Sequence, residues 1–436
     1  MDYRQALNKL SQFTRFGINL GLERITSLLK VLHNPQEELA IIHIGGTNGK
    51  GSTLAMLSSI LREGDYRVGT FSSPHLISYC ERFAINGENI SEERFVLLLE
   101  EILEKVAEVK EATGEAPTEF EVLTALGFLY FARENVDIAL IEVGMGGDID
   151  STNVVKEPLL SIITNASLEH QDYLGKTLEE ITQKKSGIIK PGCSILTASK
   201  DEEVLPVIRA KAVSLKAPFY ELQQEASWEW QEETNTGSIE GQYFFVQTKR
   251  HDYGRVFLPF WGEHQLENAA TAIVAAEILQ EQGWEINTHT ITDGLTKARW
   301  PGRLEIIGRN PLMVLDGAHN PAGIKAISQW LARKKREVER VILVIGMLDD
   351  KDQFLAAQFL EPLVDLVIIT KPNSYRAEHW QELNKSFQEG GIPLLVIENL
   401  GEAIDRAKQE AQKEDLILVT GSLYLIGEVK EKMQKN

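Results

Sequence analysis

One segment governs how this chain of 436 residues folds: Ile41-Ile42-His43-Ile44-Gly45-Gly46-Thr47-Asn48-Gly49-Lys50-Gly51-Ser52. Its apolar first half predicts a buried strand, and its second half predicts a glycine-rich loop that leads into a helix. Glycines let backbone N–H groups turn toward an anion, Lys50 adds a positive charge, and a helix beginning near Gly51 adds the positive end of its dipole. The segment therefore predicts a binding loop for nucleotide phosphates, with ATP as the first ligand to consider.

The loop departs at two positions from the standard phosphate-binding pattern G-x-x-x-x-G-K-[ST]. Ile44 stands where the first glycine belongs, and Gly51 follows the lysine where a hydroxyl side chain belongs. Because that hydroxyl ordinarily contacts the magnesium ion that accompanies the nucleotide, the metal needs an oxygen ligand from another part of the chain.

The composition limits the classes of protein to which the chain can belong. A hydrophobic content of 43% over 436 residues supports a full core, and the length predicts two or three domains. The formal net charge of −19 argues against a nucleic-acid partner, because phosphate backbones require a basic face. We find no signal-like segment and no apolar run of about 18 residues, so we expect a cytoplasmic protein without a membrane partner. Cys80 and Cys193 are too few for a disulfide framework or a cysteine metal cluster.

Short apolar runs rich in β-branched residues alternate with segments of helical spacing, which predicts α/β domains with mainly parallel sheets. We predict strands at residues 39–44, 138–143, 159–164, 341–345, 363–370, 394–397 and 416–420. We predict helices at residues 52–61, 92–109, 121–131, 266–280 and 323–338. Alternating polar and aromatic residues at 227–259 predict a small antiparallel excursion, and Pro301 with Gly302 makes residues 298–303 the best linker candidate.

Polar residues follow three predicted strands, at the sheet edge where ligands of α/β proteins bind. Glu142 ends one strand ahead of a glycine-rich turn, so it either faces a magnesium ion or is an ordinary strand-terminal acid. His170 lies beyond the next strand, where it is either a ligand for a divalent ion or a structural histidine. Asp316 and His319 follow a further predicted strand at residues 313–315. Their possible roles are proton transfer, substrate binding, nucleotide binding or turn formation.

Two further segments have plain structural interpretations. Residues 184–191 contain Lys184 and Lys185, follow a helical segment, and are typical of a solvated basic helix end closed by glycine. The segment that contains His264 and Asn268 is typical of the first turn of an alanine-rich helix.

Taken together, these segments resemble the folylpolyglutamate synthase and dihydrofolate synthase family, a branch of the Mur ligase superfamily of ATP-dependent amide-forming enzymes. The resemblance runs nearly from end to end. The segments that carry it are residues 16–25, 46–52, 73–76, 81–87, 120–125, 150–153, 174–177, 264–265, 268–270, 300–303, 316–320 and 420–424.

The resemblance implies a fold and an activity. We expect a P-loop-type, Mur-ligase-like ATP-binding domain at residues 1–297, a hinge linker at 298–303 and a smaller Rossmann-like α/β domain at 304–436, with the active site between the domains. Members of the family are ligases that activate a folate carboxylate as an acyl phosphate, which the amine of L-glutamate then attacks. The implied substrates are a reduced folate, L-glutamate and ATP, and the family implies a monomer.

The resemblance also implies roles for individual residues. The ATP-binding residues are Asn48, Gly49, Lys50, Gly51, Ser52, Asn268, Arg303 and Asp316. The magnesium ligands are Ser73, Glu142 and His170, so that Ser73 supplies the hydroxyl that the loop lacks. The catalytic residues are Lys50, Lys185 as a carbamate that holds a second magnesium ion, and His319 as a group that orients the incoming glutamate.

Three positions differ from the family pattern. Asp148 stands where many members have arginine, Lys184 replaces the glutamate that usually precedes the special lysine, and Glu169 replaces an aspartate ahead of His170. A cationic neighbour such as Lys184 is expected to lower the pKa of Lys185 and so to raise the fraction of reactive neutral amine.

The predicted function is the addition of L-glutamate to the γ-carboxylate of tetrahydrofolate, as in one-carbon metabolism. The alternatives are a bifunctional enzyme that also makes dihydrofolate from dihydropteroate, a cell-wall Mur-type ligase, and a nucleotide-binding protein without ligase chemistry. Residues 73–76 and 316–320 favour the folate branch, and pterin contacts are expected from residues 16–24 and the loop after Ser73. The residues whose joint retention favours an enzyme are Lys50, Glu142, His170, Lys185 and His319.

Overall fold

A computed structural model of the chain describes residues 1–14, 21–231, 241–387 and 391–434. The chain divides into two compact units. Unit 1 comprises Met1–Glu229, Phe244–Phe257 and Glu267–Ala298, and unit 2 comprises Trp230–Tyr243, Leu258–Leu266 and Arg299–Asn436. The domain boundaries that the resemblance implies, at residues 1–297, 298–303 and 304–436, stay a prediction.

Strands and helices are numbered in chain order. The strands up to residue 260 are β1 (Ile41–Gly45), β2 (Val68–Phe71), β3 (Phe83–Ile85), β4 (Glu88–Asn89), β5 (Ile138–Glu142), β6 (Leu160–Ile163), β7 (Ser194–Thr197), β8 (Phe219–Glu221), β9 (Ala226–Gln231), β10 (Gln242–Thr248) and β11 (Asp252–Leu258). The helices up to residue 298 are α1 (Tyr3–Thr14), α2 (Glu23–Val31), α3 (Lys50–Glu63), α4 (Glu92–Thr113), α5 (Glu119–Arg133), α6 (Gln171–Leu174), α7 (Leu178–Lys185), α8 (Val204–Ser214), α9 (Leu222–Glu225), α10 (Glu263–Glu281) and α11 (Thr288–Lys297).

The large sheet of unit 1 places several predicted site residues at one edge. Its strand order is β4-β3-β2-β5-β1-β6-β7-β8, and the neighbours from β2 to β8 are parallel, while β3 and β4 extend it in antiparallel pairing. The carboxyl ends of β2, β5, β1 and β6 therefore meet at the same edge. Ser73, Glu142, Gly46 and Asn165 lie at or within two residues of those ends. The strands ahead of Ser73, Glu142 and His170 thus belong to one sheet.

A three-stranded sheet with the order β11-β10-β9 forms where the sequence predicts the antiparallel excursion. The backbone N–H of Thr248 donates to the carbonyl of His251 at 2.8 Å and closes the β10–β11 hairpin. The carboxylate of Glu277 in α10 accepts hydrogen bonds from Thr248 Oγ1 at 2.6 Å and from the Tyr253 hydroxyl at 3.0 Å. These two bonds anchor the hairpin to the helix.

Helix α3, which follows the phosphate loop, is buried from Gly51 to Leu61. It contacts β1, β2 and β5, and it also packs closely against α11. The close approach depends on Gly294, because a Cβ atom at this position would lie 2.4 Å from the Cα of Ile60. The loop is thus attached to a helix that the core of unit 1 holds firmly.

Unit 2 contains a second sheet and its own core. The strands are β12 (Glu305–Arg309), β13 (Leu312–Leu315), β14 (Val341–Ile345), β15 (Leu366–Ile369), β16 (Leu394–Val396) and β17 (Leu416–Thr420). The helices are α12 (Pro321–Lys334), α13 (Gln353–Leu360), α14 (Leu383–Ser386), α15 (Leu400–Glu410) and α16 (Leu423–Gln434). The order β12-β13-β17-β14-β15-β16 is parallel except for the antiparallel pair at β12, and the smaller α/β domain expected at this end of the chain is confirmed.

Within the described residues, none of the helices combines the length and the apolar character that crossing a bilayer requires.

His43 is a buried polar residue in the middle of β1. Its ring Nε2 lies 2.8 Å from the hydroxyl of Thr152, and its side chain has no exposed surface. Burial, together with the positive charge of Lys190, lowers the pKa of His43 to about 3. The ring is therefore neutral in the folded protein.

We expect the replacement His43→Gln to reduce the loss of stability in mild acid. In the unfolded chain the pKa of this imidazole is about 6.5, so the stability from a neutral buried ring is fully present above that pH and is lost as pH falls toward 3. Between pH 7.5 and 5.5 the loss from His43 is about 1.4 kcal/mol. Urea unfolding at both pH values measures it, and equal losses in the two proteins would contradict the assignment.

Candidate active site

The phosphate loop is held in shape by the segment that follows β6. The backbone N–H groups of Thr47 and Asn48 donate to the backbone carbonyl and to the side-chain Oδ1 of Asn165, each at 2.9 Å. The hydroxyl of Thr164 donates to the carbonyl of Asn48 at 2.7 Å. Sequence reasoning missed this bracing, although the adjacency of β1 and β6 in a parallel sheet predicts that the loops after them meet.

Asn268 of α10 lies directly against this loop. Gly49 adopts φ +85°, and a Cβ atom at this position would lie 2.4 Å from Oδ1 of Asn268. The glycine ends the loop, and α3 begins at Lys50, so the first helical turn contains Gly51 and Ser52. Backbone N–H groups of a first turn lack partners within their helix and are suited to bind an anion.

We expect Gly49→Ala to weaken ADP binding at least tenfold, because the new methyl group must displace the Asn268 side chain and strain a left-handed residue. Gly114→Ala is the matched control, since Gly114 has φ +80° at the end of α4 and nothing lies within 4 Å of its Cβ position. Calorimetric titration with ADP measures both affinities. Equal effects of the two substitutions would mean that backbone strain alone is responsible.

Lys50 folds back over the phosphate loop. Its Nζ donates to the carbonyls of Gly46 at 2.9 Å and Thr47 at 3.1 Å. Both contacts lie within the loop that the lysine serves, so the ammonium group is already at the place where an anion would be bound.

Ser73 and Glu142 meet at the same sheet edge. The carboxylate of Glu142 is buried and accepts the backbone N–H of Ser73 at 3.3 Å. His170 is exposed at the start of the short helix α6, with φ +45°. In the described part of the chain, no three His, Cys, Asp or Glu side chains converge as a metal cluster.

The donor set at Ser73 and Glu142 fits magnesium. This ion prefers oxygen ligands and is usually held by one or two carboxylates, with phosphate oxygens and water completing its shell. A buried carboxylate beside a serine, at the edge that carries the phosphate loop, supplies such ligands without a dedicated cluster of acidic residues.

Lys185 is buried, with 1% of its side chain exposed, and its Nζ lies 2.6 Å from Oε1 of Glu169. Burial lowers the pKa of Lys185 and the nearby charge of Lys50 lowers it further, while Glu169 acts in the opposite direction. Burial acts to raise the pKa of Glu169, but the charges of Lys185 and Lys50 outweigh it and keep that carboxyl ionised. The interpretation of this segment as a solvated helix end is wrong for Lys185.

Lys184 does not act on Lys185 in the expected way. Its Nζ lies 3.0 Å from Oδ2 of Asp148, so its charge is paired. The causes that lower the pKa of Lys185 are burial and Lys50. Sequence reasoning did not identify Glu169 as the partner of Lys185. The only indication in the sequence was that Glu169 lies next to His170.

The predicted folate-binding segments are only partly described. Residues 16–20 of the predicted segment 16–24 lie outside the described residues. Arg24 is buried and donates to both carboxylate oxygens of Glu121 at 3.1 Å. In the loop after Ser73, Arg82 Nε donates to Nδ1 of His75 at 2.9 Å, and burial together with Arg82 lowers the pKa of His75 to about 3.

In unit 2, Asp316 organises the turn that contains Arg303. Its two oxygens accept the backbone N–H groups of Leu304 and Ala318, both at 2.8 Å. Burial raises the pKa of Asp316, and the charge of Arg303 opposes this shift. The carboxylate is therefore a brace for the backbone next to Arg303.

His319 follows β13 in the same unit. Its Nδ1 lies 2.9 Å from the carbonyl of Gly317, which can only accept, so Nδ1 carries a proton. The next residue, Asn320, caps α12 by accepting the N–H of Gly323 at 2.8 Å. The segment thus serves turn formation at Asn320 and holds the ring of His319 against the backbone of Gly317.

Each unit contains its own share of the predicted site residues. Those in unit 1 are Asn48, Gly49, Lys50, Gly51, Ser52, Ser73, Glu142, His170, Lys185 and Asn268. Those in unit 2 are Arg303, Asp316 and His319. Their assigned roles stay predictions.

Comparison with known proteins identifies relatives along the whole chain. Residues 44–276 match the Mur ligase middle domain, and residues 302–423 match the Mur ligase, glutamate ligase domain. The dihydrofolate synthase/folylpolyglutamate synthase of Bacillus subtilis (strain 168) is 36% identical over 441 residues, covering 99% of each chain. The folylpolyglutamate synthase of Lacticaseibacillus casei is 31% identical over 444 residues, covering 99% of this chain and 98% of that protein. The structure of Mycobacterium tuberculosis folylpolyglutamate synthase complexed with ADP matches with a TM-score of 0.90 at 31% identity, covering 100% of both chains.

Proposed function

Since the chain belongs to the Mur ligase family, in the group of folylpolyglutamate and dihydrofolate synthases, we propose that it joins L-glutamate to the γ-carboxylate of tetrahydrofolate. The chain is an ATP-dependent ligase, and the reaction releases ADP and phosphate. The observation that carries the proposal is the buried Lys185, which feels the charge of Lys50 of the phosphate loop, because a binding protein without chemistry has no need of a buried lysine there.

The mechanism divides one difficult substitution into two easier ones. An oxygen of the folate γ-carboxylate attacks the γ-phosphorus of ATP, and the bond to ADP breaks, which leaves an acyl phosphate. The nitrogen of L-glutamate then attacks the acyl carbon, phosphate leaves, and the nitrogen loses a proton to form the amide. Lys50 and the N–H groups of its loop neutralise the charge on the phosphates during the first transfer.

We assign the magnesium ion to Ser73, Glu142 and His170. When bound, the ion neutralises charge on the nucleotide phosphates during transfer. Glu142 provides the charged oxygen, and Ser73 provides the hydroxyl that Gly51 cannot supply.

Glu142→Gln should raise the magnesium concentration needed for half-maximal activity at least tenfold, because the amide keeps the volume and the acceptor oxygen but loses the charge. The binding of Mn²⁺ with ADP, followed by electron paramagnetic resonance, reports the same loss without turnover. Glu202→Gln, at an exposed residue, is the control. Unchanged Mn²⁺ binding in Glu142→Gln would contradict the assignment.

We assign a carbamate to Lys185. The ammonium group first loses a proton, and the neutral amine then adds to carbon dioxide, which forms a C–N bond and releases a second proton. A cation thereby becomes an anion that can hold a second magnesium ion. Burial and the neighbouring Lys50 favour the neutral amine that this reaction requires. A carbon-13 resonance after incubation with labelled bicarbonate, absent in Lys185→Arg, tests the modification; its absence in the active native protein would contradict it.

The remaining roles complete the proposal. Asn268, Arg303 and Asp316 serve nucleotide binding, with Asp316 acting through the backbone that it holds next to Arg303. His319 orients L-glutamate. We further propose a cytoplasmic monomer.

A bifunctional enzyme is the second candidate, because the 36% identical relative from B. subtilis is named for both activities. The test supplies Mg-ATP and L-glutamate with tetrahydrofolate in one reaction and dihydropteroate in another, and identifies the products by mass spectrometry. Glutamyl addition to tetrahydrofolate alone supports a dedicated folylpolyglutamate synthase, and addition to both supports the bifunctional enzyme. No product in either reaction would contradict the folate assignment and direct the test to a uridine-nucleotide substrate.

A further inference from the structure

Two residues that depart from the family pattern, Asp148 and Lys184, contact each other. Nζ of Lys184 lies 3.0 Å from Oδ2 of Asp148, and 39% and 34% of the two side chains are exposed. Asp148 lies in the glycine-rich turn after β5, and Lys184 lies in the last turn of α7, directly before Lys185. The ion pair therefore joins the turn that follows Glu142 to the helix end that carries the buried lysine.

The backbones at this junction are in direct contact. The N–H of Asp148 donates to the carbonyl of Lys184 at 2.9 Å. A Cβ atom on Gly147 would lie 2.7 Å from the carbonyl oxygens of both Lys184 and Lys185 and 3.0 Å from the Cα of Lys185. A displacement of either backbone therefore moves the Cα atom from which the Lys185 side chain extends.

A second contact closes the junction from the other side. A Cβ atom on Gly187 would lie 2.3 Å from the Cβ of Asp148, so only glycine permits this approach. The side-chain amide of Asn153 donates to the carbonyls of Asp148 at 3.0 Å and Gly187 at 3.2 Å. Asp148 is thus surrounded by the residues on both sides of Lys185.

We propose that Asp148 and Lys184 are positioning residues, whose opposite charges set the position of Lys185 relative to the sheet edge. The inference rests on the proposed role of Lys185 in the ligase reaction. Either charge reversal alone places two like charges about 3 Å apart, and their repulsion shifts the turn that carries Asp148 relative to the helix end that carries Lys185. Reversal of both charges restores the attraction, because the pair again consists of one cation and one anion.

A half-exposed ion pair of this kind contributes little to folding stability, so the single variants should remain folded. Catalysis is more sensitive to geometry, because a misplacement of about 1 Å lowers a rate by about a hundredfold. We therefore expect a fall in kcat of about ten- to a hundredfold in Asp148→Lys and in Lys184→Asp, with KM for ATP within about twofold of the native value.

The test compares these two single variants, the double variant Asp148→Lys with Lys184→Asp, and the control Lys176→Asp. Lys176 forms an exposed 3.0 Å pair with Asp172 in the same region, so its variant carries the same change of residue and charge without touching the junction. The double variant should recover kcat to within about threefold of the native enzyme. The carbon-13 carbamate resonance should weaken or shift in the single variants and return in the double variant.

Two outcomes would overturn the inference. Single variants with native kcat would show that the pair does not position Lys185, and a double variant no better than the worse single variant would show that the charges are not coupled. Failure of the proposed function is distinguishable, because it appears in the native protein as absence of glutamyl transfer. A native enzyme that is active without a carbamate signal overturns the modification only, and the coupling in kcat then decides the inference alone.

Discussion

Replacement of Lys50 by alanine should lower the rate of ADP formation by about a hundred- to a thousandfold. The lysine lies on the phosphate loop, and its Nζ contacts the carbonyls of Gly46 and Thr47. We expect the ammonium group to exchange these carbonyls for phosphate oxygens when ATP binds, and to remain opposite the charge that moves from ATP to the acyl phosphate. The alanine variant loses that charge at the step where phosphate charge is redistributed.

The fold should tolerate this change, because the two carbonyls that Lys50 contacts belong to its own loop and water can replace the ammonium group. Initial rates with Mg-ATP, tetrahydrofolate and L-glutamate measure the effect, with Lys176→Ala as a control at an exposed lysine. Circular dichroism verifies that both variants are folded. A rate within about threefold of native would remove Lys50 from the phosphate site.

Lys185→Arg and Lys185→Ala should each lower the rate by at least about a hundredfold. The comparison separates two roles of one buried side chain. In the native protein Lys185 and Glu169 form an ion pair at 2.6 Å. Arginine keeps a positive charge opposite Glu169, but its guanidinium does not form a carbamate. If the function of Lys185 is to become an anion, arginine fails as completely as alanine.

Chemical rescue distinguishes the variants further. In Lys185→Ala the side chain leaves a cavity beside Glu169, and a small carboxylate such as formate can supply the missing anion there. Added formate should restore part of the rate in the alanine variant and none in the arginine variant, whose side chain fills the space. Full activity of Lys185→Arg would instead mean that the ion pair with Glu169 is the whole role of this lysine.

Buried parallel strands were the most predictable part of the fold. The predicted strands at residues 341–345 and 416–420 agree with β14 and β17 at both ends. Each of these strands is buried along its whole length, so the apolar run in the sequence has the same bounds as the strand. The predicted and observed strand bounds agree because both faces of these strands are buried, and not because of the strand propensity of single residues.

Short strands with irregular composition were missed, and β2 shows why. Its sequence, Val68–Phe71, contains Gly69, which weakens any local strand signal. The ring of Phe131 lies where a Cβ on Gly69 would be, with Cδ1 at 2.8 Å. Packing of β2 against Phe131 of α5 requires the glycine. The residue pattern of the strand itself does not reveal this contact, because α5 is distant in the sequence.

The site residues divide in a similar way. Single residues beyond strand ends could be selected from the sequence, since the topology of parallel sheets makes such positions functional. Their partners could not: Asn165 braces the loop at Asn48 from 117 positions away, and Glu169 reaches Lys185 across 16 positions. Such pairs are decided by three-dimensional proximity, and so is the ion pair between Asp148 and Lys184, two positions that both depart from the family pattern.

The division of the chain into units has a consequence for protein engineering. Leu258–Leu266 belongs to unit 2, although Phe244–Phe257 before it and Glu267–Ala298 after it belong to unit 1. A gene fragment that stops at Ala298 carries Trp261 without the apolar core on which this side chain packs. Recombining the units of two homologous enzymes therefore requires junctions on both sides of Trp230–Tyr243 and of Leu258–Leu266 as well as after Ala298. A single crossover would take parts of unit 2 from different parents.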